Sequence, residues 1–265
     1  MSICSGIVVT AVAFNIKVYR ISLTTVLSSF ESTQALILAI VPTRGWLSLK
    51  PSGTEDLRQY VRSVKEGEHG CIIYEDEDRM WDLEVEYLRS GIESGYLGVV
   101  LVTENRNKVR EALIRRGMDV DRYVKEGSLM IVDGDQLYGS AKNPNIPAWL
   151  DAVKSVVDGA VKSGKKGVRV SGNLSYTYFA RQGFAEQWWR LENSLHRNLG
   201  LPCTAICTYD VSELAPSERP YALKDLLEHY RRIGERNPQV MDAHSFAIFA
   251  SHEGGAIAEL TVPVY

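Results

Sequence analysis

Histidine, cysteine and aspartate side chains on two predicted strands have the chemistry of a metal site. His69 and Cys71 are two residues apart in the first strand, and Cys207 and Asp210 lie in a later one. These residue types are ligands of Zn²⁺ and similar metals, and they would meet if the two strands are neighbours. No close pair such as Cys-x-x-Cys anchors the set, so a capped histidine and a packed thiol are the alternative. We expect no metal and no cofactor, and we treat the four residues as a possible structural motif. An enzyme or a metal-binding protein that uses this cluster is the alternative.

An acidic turn follows the first strand, where α/β nucleotide-binding proteins have their phosphate loop. Its residues are Glu75, Asp76, Glu77 and Asp78. Glycines and a Lys before Ser or Thr hold nucleotide phosphates in such loops, and this turn has neither. Four carboxylates would repel a triphosphate, although acids also suit the N-terminus of a helix. We therefore expect no ATPase activity, and we assign no catalytic residue.

Seven polar or aromatic residues have the character of a pocket for a small organic ligand. Most of them lie where predicted strands end, and they are Tyr74, Glu104, Arg169, Asn173, Tyr176, Glu192 and Tyr209. Glu192 belongs to a predicted helix with apolar neighbours and would need a partner if buried, for which Arg169 is a candidate. The competing interpretation is that these groups satisfy one another in a closed network without room for a ligand.

Strands and helices alternate regularly from residue 69 to residue 210. The apolar runs predict strands at 70–75, 97–103, 129–132, 168–171 and 205–208. Helical spacing of apolar residues predicts helices at about 54–66, 78–95, 107–116, 149–163, 184–199 and 221–233. This order predicts an α/β fold with a mostly parallel central sheet and helices on both faces. In such sheets ligands bind outside the carboxyl ends of the strands.

The composition is that of an ordinary soluble globular protein. The chain has 265 residues, of which 24% are charged and 45% hydrophobic, and a formal net charge of -3. This charge gives no general attraction to nucleic acid or to anionic membranes, and no apolar run reaches the ~18 residues of a membrane span. Four cysteines without a close pair favour reduced core thiols and a cytoplasmic location.

Several short motifs, taken in order, resemble a known family of sensory domains. They are His69-x-Cys71-x-x-Tyr74, Val100 to Glu104, Gly127-x-Leu129, Gly167 to Tyr176, Leu191-Glu192-Asn193 and Ala205 to Asp210. The chain resembles a MEDS domain, the sensory domain of methanogens and methylotrophs, over roughly residues 55–240. Two positions depart from the family pattern, since Asn173 stands where members commonly have Glu and Tyr176 where they have Trp.

This resemblance implies both a fold and a function. The fold would be a RecA/KaiC-like three-layer sandwich whose phosphate loop has degenerated. The function would be to sense a small molecule, such as a simple hydrocarbon derivative, without catalysis. A separate protein, such as a histidine kinase or a transcriptional regulator, would receive the signal, and a homo-oligomer is a further expectation. An enzyme that uses the carboxylates or Cys207 and a protein-interaction scaffold are the alternative functions.

The predicted organisation has three parts. Residues 1–52 would be a poorly defined N-terminal extension, because they precede a Pro-Ser-Gly break and lie outside the α/β alternation. Residues 53–240 would form the sensory domain. Residues 241–265 would be a C-terminal tail with a possible edge strand at 246–249.

Overall fold

A central sheet of eight strands organises the computed structural model. The structure describes residues 48–260 apart from 103–104, 173–174, 198–199, 215–232, 234–235 and 253, and the described residues belong to one compact unit. The strands of this sheet are β1 (Ser48–Ser52), β2 (His69–Tyr74), β3 (Leu97–Val102), β4 (Leu129–Asp133), β7 (Val168–Gly172), β8 (Cys203–Asp210), β9 (Phe246–Ser251) and β10 (Gly254–Glu259). Two short strands, β5 (Gly139–Ser140) and β6 (Asn143–Pro144), form a separate hairpin.

The helices connect the strands in the alternation that the sequence predicts. They are α1 (Thr54–Arg62), α2 (Glu77–Glu93), α3 (Arg106–Arg115), α4 (Val120–Lys125), α5 (Gly134–Tyr138), α6 (Ile146–Lys162), α7 (Ser175–Arg181), α8 (Ala185–Arg197), α9 (Val211–Leu214) and α10 (Pro238–Ala243). The sequence analysis predicts no helix over residues 175–181, where the structure has α7. None of the described helices has the length and apolar character needed to cross a membrane.

The order of the strands is β1-β10-β9-β2-β8-β7-β3-β4. The six strands from β9 to β4 are parallel, and β1 and β10 add two antiparallel strands at one end. The predicted α/β fold with a mostly parallel sheet is therefore confirmed. Parallel strands are joined by crossover helices, which cover the sheet on both sides.

Each strand contributes alternate side chains to the two faces of the sheet. In β2, Cys71 and Ile73 belong to one apolar core, while Ile72 and Tyr74 belong to the other. We call the side covered by α1, α2, α3 and α4 the α2 face, and the side covered by α6, α7, α8 and α10 the α8 face. All three described cysteines are buried on the α8 face.

The sheet extends across both predicted domain boundaries. Ser48–Ser52, which the sequence analysis placed in the extension, pairs with β10 as strand β1. The strand expected at the sheet edge is instead an inner one, because β9 lies between β2 and β10. Its apolar run Phe246 to Ala250 is buried, as is typical of a strand covered on both faces. The predicted helix near 221–233 falls mostly outside the described residues.

Candidate functional site

Four buried polar side chains meet on the α8 face. They are His69 at the start of β2, Cys207 in β8, Glu192 in α8 and His244 directly after α10. One donor atom from each of them lies within 4.8 Å of the others. We call these four residues the His–Cys–Glu cluster. Its members come from four different elements, so tertiary structure alone brings them together.

The register of two parallel strands sets the first half of the cluster. In the β2–β8 pair, Cys71 lies beside Cys207 and His69 beside Ala205. Side chains two residues apart share a face of the sheet, so His69 and Cys207 both face α8 and lie diagonally across the pair. His69 Nε2 lies 3.5 Å from Cys207 Sγ.

The apolar stripe of α8 sets the position of the carboxylate. Trp188, Leu191 and Leu195 pack towards the sheet at helical spacing. Glu192 follows Trp188 by four residues and therefore occupies a core-facing position, where only 2% of its surface is exposed. Its Oε1 accepts a hydrogen bond from the Cys207 thiol at 3.2 Å.

The second carboxylate oxygen faces both histidines. Glu192 Oε2 lies 3.2 Å from His69 Nε2 and 3.3 Å from His244 Nε2. Despite these distances, neither Glu192 Oε2 nor His244 Nε2 has a partner in hydrogen-bond geometry among the described residues. The two imidazole rings lie against each other with centroids 4.3 Å apart. Glu192 Oε2 and His244 Nε2 are therefore close to each other without a well-directed hydrogen bond between them.

A backbone contact fixes the orientation of the His244 ring. His244 Nδ1 lies 2.7 Å from the carbonyl oxygen of Val240 in α10. A carbonyl oxygen only accepts hydrogen bonds, so Nδ1 carries the proton and neutral His244 has its lone pair on Nε2. That lone pair faces the Glu192 carboxylate.

Burial and neighbouring charge shift the ionisation of the cluster. Burial opposes ionisation of Glu192, but the adjacent His69 and His244 outweigh it and hold the pKa of this carboxyl below its ordinary value. Burial and the nearby Glu192 carboxylate raise the pKa of the Cys207 thiol well above its ordinary value. Glu192 is therefore the anion of the cluster, and Cys207 is a thiol in the absence of a bound cation.

A small cavity adjoins the cluster. Its volume is about 30 Å³, and Glu192 and Cys207 form part of its wall. The other lining residues are almost all apolar or aromatic and comprise Leu101, Tyr138, Trp149, Val153, Val170, Gly172, Trp188, Leu195, Cys203 and Ala205. The indole Nε1 of Trp149 is buried and has no acceptor in the described part of the chain. The wall of the cavity is therefore almost entirely apolar, and Trp149, Glu192 and Cys207 are among the residues that form it.

The structure divides the predicted motif of His69, Cys71, Cys207 and Asp210. His69 and Cys207 do meet, because β2 and β8 are neighbours. Cys71 is buried on the same face but contributes no atom to the cluster. Asp210 is separate as well, since its carboxylate accepts hydrogen bonds from the backbone N–H and the hydroxyl of Ser212 at the start of α9.

The predicted pocket at the carboxyl ends of the strands does not form as one site. Glu192, Tyr176 and Tyr209 lie on the α8 face, where the Tyr176 and Tyr209 rings are 5.4 Å apart. Tyr74 is buried on the α2 face. Tyr209 pairs with Ile73, the residue before Tyr74, so Tyr74 and Tyr209 are close along the sheet. Their side chains point to opposite faces because successive residues of a strand alternate. Glu104 and Asn173 lie outside the described residues.

Arg169 is the clearest correction. It lies near the amino end of β7 and points to the α2 face, where it donates to the carbonyl oxygens of Tyr87 and Arg62 at 3.0 and 3.1 Å. It therefore lies at the wrong end of the strand for the predicted pocket and on the wrong face to pair with Glu192. The partners of Glu192 are the two histidines and Cys207.

Two features of this region were missed by the sequence analysis. His244 stands alone before an apolar strand, and no local motif marks it as functional. The Trp149 side chain looks like an ordinary core aromatic in the sequence. The one available signal was the position of Glu192 within the apolar stripe of α8, which indicates a buried acid that needs partners.

The acidic turn caps the helix that follows it. Asp76 Oδ1 accepts hydrogen bonds from the backbone N–H groups of Asp78 and Arg79, at 3.0 and 3.2 Å. Asp76 Oδ2 lies 3.2 Å from His252 Nδ1. A side-chain carboxylate thus occupies donors at the N-terminus of α2 that a phosphate loop would present to a nucleotide.

Comparison with known proteins gives one family match. Residues 68–228, more than half of the chain, match the family model MEDS, described as MEthanogen/methylotroph, DcmR Sensory domain. No curated protein matches the chain. Among solved structures, a KaiC-like protein from the hyperthermophilic archaeon Pyrococcus horikoshii OT3 is similar with 18% identity and a TM-score of 0.44, over 70% of this chain and 72% of that one. The matched segment contains His69, Glu192 and Cys207, and it ends before His244.

Proposed function

Because the chain belongs to the MEDS family of sensory domains, we propose that it binds a small organic ligand without turning it over. The ligand would occupy the cavity on the α8 face, and a separate protein, such as a histidine kinase or a transcriptional regulator, would receive the signal. The observation that carries this proposal is the cavity itself, with its apolar wall and with Trp149 among its lining residues.

The lining of the cavity indicates the chemistry of the ligand. Apolar and aromatic side chains favour a hydrocarbon part, and a few polar groups orient it. We propose that the ligand also supplies an acceptor to the Trp149 N–H group, which has no partner among the described residues, because a buried donor without a partner costs roughly 1–3 kcal/mol. A ligand with a short alkyl group and one acceptor atom satisfies both requirements.

The volume of the cavity limits the size of the ligand. About 30 Å³ is somewhat more than the roughly 10–15 Å³ that a single water molecule needs. It is far below the approximately 300–1,000 Å³ of pockets that take drug-sized compounds. The proposed ligands are therefore molecules with one or two carbon atoms, in agreement with the simple hydrocarbon derivatives that the family resemblance implies.

The acidic turn supports a function without nucleotide hydrolysis. Asp76 occupies two N–H groups of α2, and the neighbouring acids add negative charge. Phosphoryl transfer needs a Lys and a Ser or Thr at this position to hold the phosphates and Mg²⁺, and the sequence has neither. We propose that the domain lacks ATPase activity, and isothermal titration calorimetry with MgATP tests this. Micromolar binding would contradict the proposal.

The ligand proposal is tested by adding defined compounds to the full chain. The probes are methanol, methylamine, dichloromethane and ethanol, each followed by thermal unfolding and by calorimetry. A compound that binds the folded state raises its stability by mass action, by about 2.7 kcal/mol at a concentration of 100 Kd. We expect at least one probe to raise Tm in a saturable manner.

Two conservative variants of helix α6 provide the matched comparison. Val153→Ile adds one methylene group at the cavity wall and nearly fills the space. Val156→Ile adds the same group one turn further along the helix, against the same core but outside the cavity lining. We expect the first variant to abolish the Tm response and the second to keep it. No response from the native chain, or equal responses from both variants, would refute the cavity as the ligand site.

A further inference from the structure

We propose that the His–Cys–Glu cluster binds one divalent transition-metal ion of the zinc class. The ligands would be His69 Nε2, His244 Nε2, Cys207 Sγ and a carboxylate oxygen of Glu192. The inference rests on these four side chains alone and does not depend on the proposed function. It also replaces the sequence-based expectation that the chain has no metal site.

The spacing of the donor atoms matches a tetrahedral metal site. Zinc bonds of about 2.0–2.3 Å to N, O and S place neighbouring ligand atoms roughly 3.3–3.8 Å apart. In the cluster, the imidazole and carboxylate atoms are 3.2 and 3.3 Å apart, and the imidazole and sulfur atoms are 3.5 Å apart. These three pairs have the separation of ligands on one metal ion, and all four donor atoms lie within 4.8 Å of one another. Small side-chain shifts would bring the remaining pairs to tetrahedral distances.

The orientation of His244 directs its Nε2 atom at the carboxylate of Glu192. Because Nδ1 donates to the Val240 carbonyl, the Nε2 lone pair of neutral His244 faces Glu192 Oε2 at 3.3 Å. Two acceptors at this distance repel each other unless a proton or a metal cation lies between them. Neither atom is in the geometry of a directed hydrogen bond among the described residues, which favours a metal cation over a proton. A histidine that donates its second nitrogen to a backbone carbonyl is the common arrangement of a metal ligand.

Charge balance supports a divalent ion. A thiolate from Cys207 and a carboxylate from Glu192 supply two negative charges, and the two histidines bind a metal as neutral rings. Together with M²⁺ the buried cluster has no net charge, which avoids the cost of an uncompensated charge in the core. On binding, the ion replaces the thiol proton of Cys207, and this proton leaves to the solvent.

The ligand types select the class of metal. Two imidazole nitrogens, one sulfur and one carboxylate oxygen suit Zn²⁺ and the related ions Co²⁺ and Fe²⁺. Mg²⁺ and Ca²⁺ are disfavoured because they prefer oxygen ligands throughout. All four residues are at least 96% buried, so solvent does not compete for the ion.

The test uses the full chain, stripped with a chelator and titrated with Zn²⁺ or Co²⁺. We expect one ion per chain by calorimetry. We also expect Co²⁺ to give visible d–d bands of a tetrahedral site together with a near-ultraviolet band from thiolate to Co²⁺ charge transfer. Absence of stoichiometric binding by the native chain would overturn the proposal, as would a Co²⁺ spectrum without the thiolate band.

Matched variants identify the ligands. Cys207→Ala and His244→Gln should each weaken Zn²⁺ binding by at least about 100-fold, since even supporting residues around metal sites contribute 10–100-fold. Cys71→Ala removes a buried thiol of the neighbouring strand that is not in the cluster, and His252→Gln removes an exposed histidine. Both controls should bind Zn²⁺ as the native chain does. Unchanged Zn²⁺ binding by Cys207→Ala and His244→Gln would place the ion elsewhere and overturn the assignment. If a variant does not fold, the Co²⁺ spectrum of the native chain still tests whether a thiolate is a ligand.

Discussion

Arg169 and Glu192 are both charged, buried side chains, one on each face of the sheet, and their surroundings differ. On the α2 face, Arg169 donates hydrogen bonds to carbonyl oxygens near the end of α1 and to Tyr87 and Ser90 of α2. On the α8 face, Glu192 Oε2 lies near two imidazole nitrogens without a directed hydrogen bond in the described residues. A buried charge whose hydrogen bonds are all made, which we call saturated, indicates a structural role. A buried charge with hydrogen bonds left unmade, which we call unsaturated, indicates a site for a further ligand.

The saturated site joins two helices to the sheet. The carbonyl groups of Arg62 and Val64 at the end of α1 have no partner within their own helix, and Arg169 supplies it. Its guanidinium also lies over the rings of Tyr87 and Tyr96, at 5.0 and 5.6 Å from their centroids. At the unsaturated site, Glu192 Oε2 has no directed hydrogen bond among the described residues, and the site adjoins the cavity. The comparison therefore separates the stabilising part of the core from the part that we propose to be functional.

The largest expected effect is on the saturated side. Arg169→Met keeps most of the side-chain volume but leaves several buried carbonyl groups without a donor, so we expect unfolding to become easier by about 3–5 kcal/mol. Urea denaturation measures this change. Arg190→Met is the control, because Arg190 is exposed on α8 and its ion pair among the described residues is with Glu186 one turn away, which is worth about 0.3–0.5 kcal/mol. A decrease in the free energy of unfolding of less than about 1 kcal/mol for Arg169→Met would show that Arg169 does not have the structural role assigned to it here.

A second pair of variants compares the two faces by adding one methyl group to each. In Gly172→Ala the new Cβ would lie 3.0 Å from Cys207 Sγ on the α8 face, and in Gly98→Ala it would lie 3.1 Å from Ile92 Cδ1 on the α2 face. Overpacking should lower the free energy of unfolding by about 1–2 kcal/mol in both.

Only Gly172→Ala should disturb the cluster. Nuclear magnetic resonance of ¹³C-labelled cysteine follows Cys207 directly, and we expect its signal to shift in Gly172→Ala and to stay in place in Gly98→Ala. A shift of equal size in both variants would mean that the two faces respond as one packed unit.

The smallest effect is expected on the unsaturated side in the metal-free protein. Glu192→Met replaces the carboxylate with an apolar side chain of similar length. Replacing buried charge by a well-packed apolar group is often neutral or stabilising, so we expect a change of no more than about 1 kcal/mol. Urea denaturation in the presence of a chelator measures it, with Glu186→Met on the exposed side of α8 as the control. A loss of about 3 kcal/mol or more would show that Glu192 is a structural charge like Arg169.

The sequence by itself determined the elements and their order. Apolar runs such as Leu97–Val102 predict strands, and the spacing of apolar residues in α2, α6 and α8 predicts their helices, because burial of one stripe is encoded locally. Alternation of these elements then predicts the parallel sheet. The family resemblance was also available from short motifs within the matched segment.

The face to which a strand residue points required the tertiary structure. Arg169 and Cys207 belong to adjacent strands and are close in the sheet, but Arg169 points to the α2 face and Cys207 to the α8 face. A shift of one residue along a strand reverses this assignment, and short strands without a clear polar side give no local signal for it. The predicted pairing of Glu192 with Arg169 was wrong for this reason.

The composition of the cluster was decided by strand order. His244 follows His69 by more than half of the chain, and it arrives beside His69 because β9 pairs in parallel with β2, with Phe246 next to Gly70. Nothing in the residues before an apolar strand states which neighbour that strand will take, since pairing depends on all the strands that compete for the same edge. The sequence therefore supplied the chemical groups of the site, and only the packed sheet decided which of them meet.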